Sequence, residues 1–354
     1  MSKSKELRYD LLDRTLGLGV IPDSVLKAAS RASTRKRTRD ESRGGVEGQE
    51  ERLRELVEHM STGPIAEATD TANEQHYEIP SEFFELFLGP RRKYSSGIWP
   101  DGVTSLKASE DEMLRLSCQR AGLEDGMKVL ELGCGWGSLT LWMAENYPGC
   151  EITAVSNSAT QKVTIDTEAE RLGLTNIKVI TADMNDFDPG EFNDPAEKFD
   201  RVVSVEMFEH MRNWKELLRR VSSWLKPDGK LFIHIFTHRT LAYRFAGTWA
   251  SERFFTAGTM PSHDLMLHFQ DDLELEERWA VNGKNYARTL AAWLQRLDAN
   301  RDRAIRILEG ALGRKKARTA FGTWRLFLIS TEQVWEFNDG NDWMVSHYLL
   351  SPRT

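Results

Sequence analysis

The segment Ser204–Met211, SVEMFEHM, sets two glutamates three residues apart and a histidine directly after the second, in an otherwise apolar run. Ionisable groups in such surroundings suit proton transfer, because burial raises a carboxyl's proton affinity toward neutrality, where imidazole already titrates. The competing reading is a capped helix start whose acids favour the helix dipole. A second chemical segment is VLELGCGWGS, Val129–Ser138, in which an apolar run carries Glu131 and then Gly133, Gly135 and Gly137 before a helix start. Glycines there let the backbone turn sharply and approach a ligand. The spacing departs from the GxGxxG of dinucleotide folds, which seats a pyrophosphate on a helix N-terminus.

Both segments fall at strand ends. Apolar runs bounded by turn residues predict strands at residues 128–132, 151–155, 177–181, 201–205 and 230–236, with helical patterns between them and KPDG as a turn just before the fifth. Strict strand–helix alternation makes a parallel α/β sheet with helices on its faces, and such sheets bind ligands at the carboxyl ends of their strands. Two more strand candidates lie near 273–281 and 343–350, with an aromatic-rich helical stretch after His238 that would cover the ligand edge of the same sheet. Residues 1–75 are expected to form a helical arm, in which residues 31–52, RASTRKRTRDESRGGVEGQEER, have almost no apolar residues and read as a mobile charged linker. A helical lid is expected over 76–125, the Rossmann-like core over 126–240, and the covering helices with the terminal strands over 241–354.

The whole-chain charge of −7 and pI near 5.7 argue against a broad nucleic-acid face, despite the local RKRTR. Three scattered cysteines give neither a disulfide framework nor a metal motif, so no metal is expected and a reducing, cytoplasmic setting fits. No run approaches the roughly 18 apolar residues of a membrane span, and none is expected.

The acidic E-x-G-x-G-x-G preceding a helix resembles motif I of class I S-adenosylmethionine-dependent methyltransferases. Where many such folds carry an acid at the end of strand two, this chain has Ser156-Asn157-Ser158, so Ser156 and Gln161 are the expected ribose partners. Asp183 and Met184 after strand three would face the adenine, although Asp183 also reads as a helix N-cap.

The combination NEQHYEIP, KYSS, ELGCGWGS, SNSATQK, EMFEHM, KPDG, GTMPSHDLMLHFQDDL, WAVNGKNYA and DWMVSH resembles the coclaurine N-methyltransferase-like family, relatives of cyclopropane-fatty-acid synthases and mycolic-acid methyltransferases, over about residues 50–354. The resemblance implies a class I Rossmann-like seven-stranded sheet, an N-terminal helical arm or lid, a helical insertion before the last strands, S-adenosylmethionine as donor and a small amine as acceptor. It puts cofactor contacts on Tyr94, Ser95, Gly133, Gly135, Ser156, Gln161, Asp183 and Met184. Substrate and acid–base positions fall on Tyr77, Glu78, Glu206, Glu209 and His210. In this reading Glu209 and His210 orient the amine and accept its proton, and Glu206 pairs with the ammonium.

The nearest rival is the synthase branch, which methylates a lipid alkene with a bound bicarbonate as base. Its members resemble this chain at His238 and Tyr286, two bicarbonate positions. They differ by a cysteine where this chain has Ser96 and by a glycine, in GMFEH, where it has Glu206. A non-catalytic scaffold is a second rival, disfavoured by the intact glycine motif and the Glu-His pair. Aromatics at Trp99, Phe208, Tyr243, Phe254, Phe255, Trp324 and Trp343 suit a flat or cationic ligand. A homodimer through the helical arm is a further expectation.

Overall fold

The computed structural model describes residues 11–67, 79–192, 194, 196–245, 249–254 and 258–353. Its centre is a seven-stranded sheet in the order β3-β2-β1-β4-β5-β9-β8. The strands are β1 (Lys128–Leu132), β2 (Glu151–Ser156), β3 (Ile177–Thr181), β4 (Phe199–Val205), β5 (Leu225–His238), β8 (Leu273–Asn282) and β9 (Trp343–Pro352). The first five run parallel, whereas β9 is antiparallel to both of its neighbours. Parallel strands are covered on both faces, which is why β1 and the middle of β5 are almost continuously apolar.

KPDG lies inside β5 rather than ahead of it. Pairing with β4 jumps from Phe199↔Leu225 to Arg201↔Lys230, so the turn residues form an irregularity within one long strand. A side chain at Gly229 would strike the Phe199 carbonyl, and Pro227 offers no N–H to a ladder.

Residues 31–52 correct the linker expectation, because they are helical. Helix α1 (Leu11–Leu18) is followed by α2 (Asp23–Glu41) and α3 (Gly45–His59). The charges that suggested disorder form i,i+4 pairs along α2, Lys36–Asp40 at 2.6 Å and Arg37–Glu41 at 2.9 Å. The adjacent glycines make the turn between α2 and α3, with φ of 81° at Gly44 and 67° at Gly45. Arg52 closes that corner by donating to the Glu41 and Arg43 carbonyls, both at 2.7 Å.

Helix α4 (Ser81–Phe87) buries Phe83, Phe84 and Phe87, and α5 (Leu106–Arg120) is capped by Ser105, which accepts from the Ala108 N–H. The core crossovers are α6 (Ser138–Asn146), α7 (Ala159–Leu172) and α8 (Trp214–Trp224). After β5 come the two-stranded β6 (Tyr243–Arg244) and β7 (Thr259–Met260), with α9 (Trp249–Phe254) between them. Three helices, α10 (Lys284–Ala299), α11 (Arg301–Leu312) and α12 (Arg314–Glu336), separate β8 from β9. Helix α2 lies on α12, held by Arg325 to Asp23 at 3.0 and 2.9 Å and by Lys27 to Glu332 at 3.0 Å. Helices α1 and α2 are therefore packed against α12, whereas Leu56 and Met60 of the segment that follows join the core around Phe208 and Trp214.

Candidate active site at the carboxyl ends of the strands

The glycine loop leaves β1 with positive φ at Gly133 (78°), Gly135 (52°) and Gly137 (80°). The Gly133 and Cys134 amides both donate to the Val155 carbonyl at 3.0 Å, which pins the turn to β2. A Cβ at Gly133 would sit 2.8 Å from Met207, and one at Gly137 would sit 2.6 Å from Ile165 of α7, whereas one at Gly135 would meet nothing within 4 Å. Two glycines thus serve packing, and the third faces open space. Glu131 is buried, takes a hydrogen bond from Thr140, and is pushed up to about 7 by burial. The Ser138 hydroxyl at the start of α6 is buried without a hydrogen-bond partner.

The ends of β2 and β3 continue this wall. Ser156 Oγ donates to Gln161 Oε1 at 2.6 Å and accepts from the Ser158 amide at 3.0 Å, while Ser158 caps α7. Asp183 Oδ1 accepts from the Asn185 amide at 2.8 Å, so it shapes the turn after β3 and faces the cavity as well. Met184 is buried beside it. Gly133, Gly135, Ser138, Ser156, Gln161, Asp183 and Met184 border one cavity of about 690 Å³. Backbone turned away from pyrophosphate geometry, hydroxyl and amide groups after β2, a carboxylate with a thioether after β3, and the orphan Ser138 hydroxyl fit an adenosyl-bearing sulfonium.

SVEMFEHM borders the same cavity through Glu206, Met207, Glu209, His210 and Met211. Glu206 follows β4 directly in the left-handed region, φ 51°, with its amide donating to the His234 carbonyl at 2.8 Å. A residue with a side chain holds that conformation only against steric resistance of about 1 kcal/mol or more, and such strain gathers at functional positions. Glu209 sits in the 3₁₀ turn Phe208–His210 and is 1% exposed, whereas the His210 ring is 40% exposed, with Nε2 4.0 Å from Glu209 Oε1. Burial pushes Glu206 up to about 7, an effect moderated by the neighbouring Glu209 carboxyl and by the Lys93 ammonium. Burial and the Glu206 charge raise Glu209 well above the usual range. Both carboxyls are thus pushed toward holding a proton, and Glu209 holds it the more firmly of the two.

Lys93, in KYSS, was missed from sequence. It is buried in the cavity wall, donates to Ser95 Oγ and to the Ser96 carbonyl at 2.8 Å, and is brought down to about 8 by burial against the pull of Glu206 and Glu110. A lysine beside two serines gives no signal of burial from composition alone. Tyr94 borders the cavity within a cluster of Phe84, Phe87 and Trp293 rings.

The remaining wall comes from distant parts of the chain. Helix α2 contributes Leu26, Ala29, Ser30, Ser33, Thr34 and Arg37, and the Arg37 guanidinium lies 5.4 Å from the centre of the Tyr243 ring. Of the aromatics expected at a ligand, Tyr243, Phe254 and Trp343 border the cavity; Trp99, Phe208 and Trp324 are absent from its lining, and Phe255 lies outside the described residues. Tyr286 borders it too, stacked on Trp335 at 4.6 Å. His238 does not, and its Nδ1 accepts from the Thr240 and Leu241 amides at 3.0 and 2.9 Å. Tyr77 and Glu78 lie outside the described residues. Among the described residues no group of three or more His, Cys, Asp or Glu is arranged to hold a metal, and no helix is long and apolar enough to cross a membrane.

Comparison with known proteins places this geometry. Residues 66–338 match the model of the mycolic acid cyclopropane synthetase family. (S)-coclaurine N-methyltransferase of Thalictrum flavum subsp. glaucum is 34% identical over 100% of this chain and 98% of its own. Pavine N-methyltransferase of the same plant is 33% identical over 99% and 98%. A crystal structure of coclaurine N-methyltransferase bound to N-methylheliamine and SAH superposes with a TM-score of 0.90 at 36% identity, covering 96% of this chain and 98% of that one. The chain belongs to the coclaurine N-methyltransferase-like family, within the wider mycolic acid cyclopropane synthetase family.

Proposed function

We propose that this methyltransferase transfers a methyl group from S-adenosylmethionine to the nitrogen of a small aromatic or alkaloid-like amine, after that amine has been deprotonated at the Glu206–Glu209–His210 cluster. The observation that carries the proposal is the shared cavity. The carboxyl pair and the glycine loop border one space, so an acceptor held by the first is presented to a ligand held by the second. Bound along Gly133, Gly135, Ser156, Gln161, Asp183 and Met184, with Tyr94, Ser95 and Glu131 beside them, S-adenosylmethionine supplies a methyl carbon activated by a sulfonium.

The chain's own task is alignment and proton removal. An amine arrives protonated and has no lone pair to attack with. The Glu206 carboxylate pairs with the ammonium, and the Tyr243, Tyr286 and Trp343 rings support a flat cation. The proton leaves through the cluster to His210, whose ring reaches solvent. Glu209, carrying the shared proton, keeps the pair's net charge near one and so limits the cost of burying it. The family's named relatives, acting on coclaurine and pavine, support the same class of acceptor.

The test is labelled-methyl transfer by the purified protein to a panel of arylalkyl and benzylisoquinoline-type amines, in parallel with dispersed unsaturated phospholipid. Label in the amine fraction alone is expected. Label in lipid alone would replace the proposal with the synthase reading, and no transfer to either would end it.

A further inference from the structure

Behind Glu206 the sheet carries a file of buried polar groups that the sequence did not announce. Glu206 Oε1 lies 3.4 Å from His234 Nε2, a close approach without hydrogen-bond alignment, and both atoms are buried with no hydrogen-bond partner. His234 Nδ1 lies 2.9 Å from His347 Nε2, and His347 Nδ1 lies 2.8 Å from Arg120 Nη1. His234 and His347 are directly opposed residues of β5 and β9, fully buried, with rings 4.7 Å apart. Arg120 ends α5 and rests its guanidinium 4.9 Å from the Trp279 ring centre at a half-buried position. The file thus runs from the cavity, through the sheet, to the edge of the protein.

Its direction follows from the donor inventory. A guanidinium only donates, so His347 Nδ1 accepts and its proton sits on Nε2. That proton points at His234, so His234 Nδ1 accepts and its own proton sits on Nε2, facing Glu206. Both imidazoles are neutral. Burial, together with the Lys93 and Arg120 charges, holds both well below their ordinary range. The file cannot carry a proton outward, because His234 Nε2 is already protonated and Arg120 at the far end accepts nothing. It fixes where the proton is not.

Resting on the reading of Glu206 as the ammonium's partner, we propose that Arg120, His347 and His234 are positioning residues that lock a neutral N–H toward Glu206, keeping that carboxylate oriented and ionised while the shared proton stays on Glu209. The other groups facing Glu206 are Glu209 on its own turn, Lys93 from the segment before α5 and the Tyr286 hydroxyl from α10. Lys93 is itself balanced between Glu206 and Glu110. Lys93 offers bulk charge, the Phe236 backbone N–H and the Glu209 carboxyl hydrogen-bond the carboxyl group, and His234 sets a neutral N–H 3.4 Å from Oε1. The pairing of β5 with β9 fixes the backbone that carries both histidines.

Two measurements on the full-length protein separate this inference from the functional proposal. Nitrogen-15 spectra need no substrate, and the chain has only 8 histidines to assign. His234 and His347 are expected as neutral Nε2–H tautomers that do not titrate between about pH 5 and 9; a proton on Nδ1, or a charged ring at neutrality, overturns the inference. The pH profile of amine methylation then reads the role. Activity falls as pH drops through the ionisation of Glu206, and Arg120→Met is expected to move that acid limb upward by about one pH unit, a tenfold loss on the limb. Arg120→Lys, which still only donates, restores the wild-type position. An unmoved limb in Arg120→Met, or a lysine variant no better than methionine, removes the positioning role even if the tautomers are as stated. Absence of amine turnover in the wild type would instead sink the functional proposal and leave the tautomer result standing.

Discussion

The cavity wall beside β1, β2 and β3 is made of strand ends and tight turns, whereas the opposite wall is made of helix faces from α2, α9, α10 and α12. On the first side each contact is set within a few residues of a strand that is itself clamped between neighbours. On the second, side chains from residues 26–37 and 326–335 meet only because α2 is tied to α12. Strand ends give fixed positions for a ligand common to many reactions, and helix faces give a surface that can be re-cut for a particular acceptor. The carboxyl pair sits at the seam between the two.

Three experiments bear on this division. The largest effect is expected at the seam, where Glu209→Ala and His210→Ala should each lower amine turnover by about 10²–10⁴-fold. Binding of S-adenosylmethionine, followed by calorimetry, should stay near wild type. Parallel losses of cofactor binding would mean that the seam belongs to the donor wall. Next comes Gly133→Ala, which forces a side chain onto Met207 and onto a backbone held at φ 78°. A penalty of roughly 1–3 kcal/mol is expected, read as weaker cofactor binding with a secondary loss of turnover through Met207, the neighbour of Glu206. The smallest effect is expected from Asp23→Asn, which weakens the part-buried tether from α2 to Arg325. Exposed or half-exposed ion pairs contribute about 1 kcal/mol or less, so the Michaelis constant for the amine should rise a few-fold while that for the donor is unmoved. A matching rise in the donor constant would erase the distinction between the walls.

How legible each wall was follows from the same physics. The core strands are short apolar runs punctuated by Gly, Pro and Asp, so β1 and β3 fall at residues 128–132 and 177–181 as the pattern predicts. The glycine loop is visible because positive φ demands glycine locally. The part of helix α2 after Ser30 was misread because its stability is not encoded in apolar spacing. Alanines and i,i+4 ion pairs hold it locally, its cavity-facing residues between Leu26 and Arg37 are small, and its partner Arg325 lies 302 positions away. His234 and His347 were passed over for a related reason. They are 113 residues apart, and only the register between β5 and β9 makes them a pair. A histidine inside an apolar strand is a usable hint, but one strand cannot say what it faces.

The left-handed backbone at Glu206 carries a consequence for how this site is related to its alkene-modifying cousins. Where they resemble this chain they place glycine at that position, the residue for which φ near 51° carries no steric penalty. The main chain is already bent to suit either occupant, so exchanging one for the other trades a resident acid for a vacancy the size of a small anion without refolding the strand end. Replacing Glu206 with glycine would then remove a buried acid from the cavity wall without asking the backbone to move.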